Sequence, residues 1–192
     1  MGEKVSNKKA DIISAAIDLF SEQGFHETKV SEIADLARVA KGTVYWYFDS
    51  KKDLFQGILI NKLEQLQLKV KEKIEVEIDP LEKLEEIIQL YFNFYQQGRK
   101  VSKMFRECTI AVDKEFFHDH IINFNRSQIE SIAEVIDQAK EEKVIASHQD
   151  SLDLARVLLG MIRTFNPHLY YQNDLMDKVE LIKDVFLNGV SR

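Results

Sequence analysis

From about Asn7 to Gln23, apolar side chains recur every three to four positions, with Ile12, Ala16, Leu19 and Phe20 on one side. Charged and polar residues fill the gaps, and that period predicts an amphipathic helix. Gly24 predicts its stop. Thr28 is placed to cap a short second helix whose inner face is Val30, Ile33, Ala34 and Ala37. A tight turn at Arg38 and Val39 leads to a third helix, about Lys41 to Phe48. Asp49 ends it, and Ser50 with Asp53 three residues on forms a variant of the capping box for a fourth.

The fourth helix is long, from Lys51 to about Val76, with Leu54, Ile58, Leu63, Leu66 and Val70 roughly on one stripe. Asp79-Pro80 breaks it, because proline cannot continue a helix. Beyond it the period predicts helices over about 81–97, 101–112, 115–141, 150–171 and 175–188. Gly98 and Ser147-His148-Gln149 are breaks, and Asp150 or Ser151 starts the next helix. No stretch alternates as a strand does. The expected fold class is all-α, with an N-terminal head over residues 1–50 and a helical body over 51–192, joined by a helix.

Composition fits this. The 192 residues are 45% hydrophobic and 30% charged, enough to bury a core. Two prolines and seven glycines suit long helices. A single cysteine, Cys108, excludes an internal disulfide and fits a reducing compartment. No early basic segment leads into an apolar run, and no stretch of about 18 apolar residues occurs. The expectation is a soluble cytoplasmic protein without a membrane span.

The net charge of −6 argues, taken alone, against nucleic acid. Residues 1–56 carry eight Lys/Arg and nine Asp/Glu, so the head is nearly neutral. Phosphate contacts need local cations, however, and Lys41, Lys51 and Lys52 cluster beside the third helix.

Three short helices, the second and third joined by a tight turn, describe a helix-turn-helix. In such units the second helix of the pair lies in the major groove. Here it reads Lys41-Gly42-Thr43-Val44-Tyr45-Trp46-Tyr47-Phe48. Val44 and Phe48, four apart, are expected to face the core. Gly42, Thr43, Trp46 and Tyr47 then fall opposite, offering a hydroxyl, aromatic edges and a close backbone approach. Neighbours on a helix point about 100° apart, so four consecutive aromatics cannot all face inward.

These residues carry a family resemblance. Ile13-Ser14-Ala15-Ala16-Ile17-Asp18-Leu19-Phe20, Gly24-Phe25, Thr28, Ile33-Ala34, Ala37, Val39, Lys41 through Tyr45, Tyr47-Phe48, Lys51 and Leu54-Phe55 resemble the N-terminal domain of the TetR family of repressors. The resemblance covers residues 8–56; the rest agrees in length, helicity and layout only. It implies that Thr28 caps the second helix and contacts phosphate, and that Lys41, Tyr47 and Lys51 contact phosphate. Gly42, Thr43 and Trp46 would face bases, with Tyr45 half packed and half on the backbone. Three positions depart from the family pattern: Arg38 stands where glycine is usual, Ala40 where a capping Ser or Thr is usual, and Trp46 where His or Tyr is frequent. Arg38 could offset a positive-φ strain by contacting phosphate.

The resemblance also implies a homodimer through the last two helices. Leu154, Val157, Leu158, Met161, Ile162 and Phe165, then Leu181, Ile182, Val185, Phe186 and Leu187, give both helices broad apolar arcs. The middle helices are rich in large apolar side chains with a few polar tips, the usual make-up of a small-molecule site. The candidate lining of a pocket for a hydrophobic or aromatic effector is Phe92, Tyr95, Met104, Phe105, Cys108, His120, Phe124, Phe165 and His168. His118 and His120 point in nearly opposite directions on a helix, so no metal site is expected. No cofactor and no catalytic constellation is expected either. The expected function is a ligand-responsive DNA-binding regulator, a repressor whose partner is a palindromic double-stranded operator. The alternative is a TetR-like sensor or interaction protein that has lost specific DNA binding.

Overall fold

The computed structural model describes residues 8–97, 114–165 and 176–190. They form α1 (Lys8–Glu27), α2 (Val30–Leu36), α3 (Lys41–Tyr47), α4 (Lys51–Glu75), α5 (Pro80–Gln97), α6 (Lys114–Glu141), α7 (Ser151–Thr164) and α8 (Met176–Val190). No strand occurs among the described residues, so the fold is all-α; the helix expected over 101–112 lies outside them. The described residues divide into two compact units, one of 8–62 with 114–118, the other of 63–97, 119–165 and 176–190.

In the first unit α1, α2 and α3 pack on the start of α4. Its core is Ile12, Ala16 and Phe20 of α1, Ile33 and Ala34 of α2, Val44 and Phe48 at α3, and Leu54, Phe55, Ile58 and Leu59 of α4. Phe20, Phe25 and Phe55 meet with ring centroids 5.4 to 5.6 Å apart. Gly24, at φ 85°, breaks α1 where expected, and one further turn runs to Glu27.

The turn after α2 is a Schellman motif. The Arg38 N–H donates to the Asp35 carbonyl at 3.1 Å and the Val39 N–H to the Ala34 carbonyl at 3.0 Å. Arg38 holds the left-handed position at φ 56°. A non-glycine residue there costs about 1 kcal/mol. Each fully buried Leu, Ile or Phe contributes about 1.5–3 kcal/mol, so the head's core outweighs that strain. Ala40 precedes α3 without a side-chain cap, as its chemistry requires. At α4 the Asp53 N–H donates to Ser50 Oγ at 3.0 Å, and the Asp49 N–H donates to the Asp53 carboxylate at 2.9 Å. This is the reciprocal cap expected from the sequence, with Asp53 reaching one residue further back.

In the second unit the later part of α4 (Leu66, Val70) packs with α5 (Leu84, Ile87, Tyr91, Phe92), α6 (Ile132, Ile136, Ala139), α7 (Leu158, Leu159, Ile162) and α8 (Ile182, Phe186). Pro80 is the first residue of α5, where its missing N–H is no loss, and Asp79 accepts from the Leu81 N–H at 2.8 Å. The break expected at Asp79-Pro80 is therefore also a helix start. Lys83 Nζ donates to the Ile74 carbonyl at 2.9 Å and to Gln138 Oε1 at 3.1 Å, tying the end of α4 to α6. Asp150 caps α7, its carboxylate accepting from the Asp153 N–H. α7 ends at Thr164 with its cap at Phe165; the rest of the expected stretch, to 171, lies outside the described residues. Pro167 lies two residues beyond the cap at Phe165, and a proline cannot donate to a helical carbonyl. Among the described residues no helix is long and apolar enough to cross a membrane.

Candidate functional site

α3 divides its side chains between the head's core and solvent. Val44 and Phe48 are buried, as expected. Gly57 of α4 makes room for the Phe48 ring: a Cβ there would sit 3.3 Å from it. On the outer side Trp46 is 77% exposed and Tyr45 47% exposed, which is unusual for large aromatic residues without a partner. Lys41 and Gly42 are exposed and Thr43 is half-buried. A Cβ built on Gly42 would meet nothing within 4 Å, so the α3 backbone is bare there. Lys41 Nζ stands 5.9 Å over the Tyr45 ring. Arg38 is exposed in the turn before α3.

One expected cap is corrected, and two side chains expected on the outer face are not wholly on it. Thr28 does not cap α2. The N-terminal cap is Lys29, whose N–H donates to the Glu32 carboxylate at 3.1 Å. That bond, then the one from Gln23 Nε2, holds the Glu32 carboxyl below the usual carboxylate range. Thr28 is 1% exposed, and its hydroxyl donates back to the Gly24 carbonyl at 2.7 Å, closing the kink in α1. Lys51 also turns inward. Its ammonium donates to the carbonyls of Phe25 at 2.6 Å, His26 at 3.1 Å and Thr28 at 2.8 Å, and lies 4.5 Å over the Phe25 ring. Three N–H groups meet three carbonyls, which leaves no donor for a phosphate. Tyr47 does not stand wholly on the outer face. It is half-buried against the head's core, edge-on to Trp46 with ring centroids 4.5 Å apart.

One cation escaped the sequence reading. Lys9, exposed on α1, places its ammonium 5.8 Å over the Phe48 ring, at the end of α3. Only the packing of α1 on α3 brings residues 9 and 48 together, so the Lys8-Lys9 pair is an uninformative signal on its own.

In the body Phe92 is fully buried, and its ring lies 6.5 Å from that of Phe165. Tyr95, Phe124 and Phe165 are partly buried against the core, and His120 is partly buried. Met104, Phe105, Cys108 and His168 lie outside the described residues. An open groove lined by Ile74, Lys83, Glu130, Glu134 and Leu152 holds none of the expected effector residues. The sequence reading missed a polar cluster instead. Tyr91 donates its hydroxyl to Gln128 Oε1 at 2.7 Å, and Arg163 donates to Asn125 Oδ1 at 2.7 Å. Burial pushes the Tyr91 phenol far up and the Tyr95 phenol up to about 12, while the nearby Arg163 charge opposes both shifts. Both phenols therefore remain protonated donors.

Residues 12–58 match the family of bacterial regulatory proteins, tetR family. The fatty acid metabolism regulator protein of Bacillus subtilis (strain 168) is 36% identical over 86 residues, 45% of this chain and 44% of that protein. The chain thus spans under half the length of this curated relative. Two solved structures share the fold over nearly the whole chain. The fatty acid degradation regulator FadR from Bacillus halodurans has a TM-score of 0.78 at 22% identity, covering 95% of this chain and 96% of that one. The FadR of Bacillus subtilis, solved in complex with stearoyl-CoA, has a TM-score of 0.75 at 22% identity, covering 94% and 98%.

Proposed function

We propose, from the premise that the N-terminal domain of this chain belongs to the TetR family of bacterial regulators, that the protein is a ligand-responsive, DNA-binding transcriptional repressor. The observation that carries this is the outer face of α3, where Trp46, Tyr45, Lys41 and the bare backbone at Gly42 stand in solvent. A folded head has no internal use for that face. It fits a major groove, with Gly42, Thr43 and Trp46 toward base edges and Lys41, Tyr45, Tyr47, Arg38 and the added Lys9 toward phosphates. Thr28 and Lys51 serve by holding the head in shape.

The test is a gel shift on the intergenic DNA beside the protein's own gene, repeated over a salt series. Lys41→Ala is expected to weaken binding to all sequences and reduce the salt slope by about 1. An unchanged slope removes Lys41 from the interface, and no shift on any such DNA would favour a sensor that has lost DNA binding. Gly42→Ala separates the head's stability from its function. Gly42 is helical and has open space beside it, so alanine should raise stability by about 0.5–1 kcal/mol. The same methyl should weaken operator binding by holding the backbone off the duplex. A variant that is more stable and binds equally well would show that α3 does not approach DNA at this residue.

The homodimer is proposed through α7 and α8. Val157, Leu181 and Val185 are exposed on them, and Gly160 and Gly189 leave open space for close approach. Two heads on one palindrome must span one helical turn of DNA, about 34–36 Å. α4 supplies side chains to both cores, Leu54 and Ile58 to one, Leu66 and Val70 to the other. An effector that shifts α4 would therefore change head spacing, and by linkage DNA would weaken effector binding equally. The effector is proposed to be hydrophobic. The named relatives act in fatty acid metabolism, and one was solved with stearoyl-CoA, so fatty acyl compounds are the first class to screen.

A further inference from the structure

Gln128 of α6 is 0% exposed, and its Nε2 has no hydrogen-bond partner among the described residues. A fully buried amide nitrogen without an acceptor is rare in a folded protein, because it forfeits its hydration for nothing. Its orientation is fixed from the other side. The Tyr91 hydroxyl donates to Oε1, which turns the NH2 group away from the phenol. Gln56 of α4 has the same defect in the head. Near Gln128 there is also a cation. Asn125 lies three residues before Gln128, on the same face of α6, and accepts from Arg163 of α7. Arg163 is partly buried, close enough to Tyr91 and Tyr95 to act on both phenols, and pairs with no carboxylate among the described residues. A guanidinium carries five N–H donors, and Asn125 takes one of them. The cluster thus offers a buried amide N–H group without an acceptor and spare guanidinium donors, inside a unit whose Phe92 and Phe165 rings are apolar.

We infer that Gln128 and Arg163 form the polar end of the effector site, donating to the acyl oxygen of a ligand whose hydrocarbon part lies against the surrounding aromatic side chains. This rests on the effector reading above and specifies the ligand chemistry: an apolar chain ending in a carboxylate or a thioester carbonyl. Tyr91 and Asn125 are positioning residues, one orienting the amide and the other the guanidinium. A hydrocarbon or an amine would leave the donors unanswered and is excluded by the same argument.

The test is calorimetric titration of the full-length protein with decanoate, decanoyl-CoA and the carbonyl-free thioether S-decyl-CoA. The wild type should bind decanoate or decanoyl-CoA, and Gln128→Met and Arg163→Met should each weaken that binding by about tenfold or more. S-decyl-CoA should bind weakly and respond little to either change. If decanoate is preferred and Arg163→Met has the larger effect, the ligand is a carboxylate. If decanoyl-CoA is preferred over its thioether and Gln128→Met dominates, it is a thioester. Should Gln128→Met fold poorly because Tyr91 loses its acceptor, the double variant Tyr91→Phe, Gln128→Met removes donor and acceptor together and replaces it. A water-filled structural amide would lower the unfolding temperature of the variants and leave the titrations unmoved. That result overturns the inference while the effector reading stands. Failure of the wild type to bind all three probes overturns the acyl class, and salt-dependent operator binding would still support the regulator.

Discussion

Replacing Lys51 with methionine is expected to destabilise the head by about 2–3 kcal/mol, the scale of charge-assisted hydrogen bonds lost from a partly buried site. The ammonium satisfies three carbonyls at the end of α1 and lies over the Phe25 ring. A cation at a helix C-terminus also meets the negative end of the helix dipole. Methionine keeps most of the stem packing and removes all of these bonds. Thermal unfolding and amide hydrogen exchange of α1 to α3 would report the loss, with DNA binding falling in parallel. The rival role, a phosphate contact, makes the opposite prediction: unchanged stability and a salt slope smaller by about 1. A stable Lys51→Met protein with a reduced slope would return Lys51 to the interface.

Charging the stripe on α7 and α8 is expected to have an equally large effect by a different route. In the double variant Val157→Asp, Val185→Asp, both positions are 54% exposed, so the fold should tolerate the change. Burying the new carboxylates in a homodimer would not be tolerated, because each would be stripped of its hydration. The protein should become a folded monomer by sedimentation and scattering. Operator affinity should drop by about 100-fold or more, because two tethered heads bind as one unit and single heads do not. A variant that stays dimeric would move the interface off these two residues. A monomer that holds its operator as tightly as the wild type would sink the paired-head mechanism.

Much of the head is legible in the sequence because its signals are local. The helical period places Ile12, Phe20, Ile33, Ala34, Val44 and Phe48 inside, and all six are buried. Gly24, Ser50 with Asp53, Pro80 and Asp150 mark breaks and caps that the structure places at those residues. Each depends on backbone chemistry within a few residues, which a linear reading can follow.

The side chains that changed role are those whose partners are distant in sequence. Lys51 looks like a phosphate contact beside Lys52, yet its carbonyls lie 23 to 26 residues earlier. Lys9 reaches the end of α3 only because α1 packs there. Tyr91 and Gln128, 37 residues apart, and Asn125 and Arg163, 38 apart, have no motif that announces them. The sequence alone determined an all-helical chain, its third helix and which face of that helix is apolar, since periodicity and caps are properties of neighbours. Which exposed cations are free, which polar atoms are buried unanswered, and so what this protein can bind, was decided only by tertiary packing, because hydrogen-bond supply and demand are settled between helices.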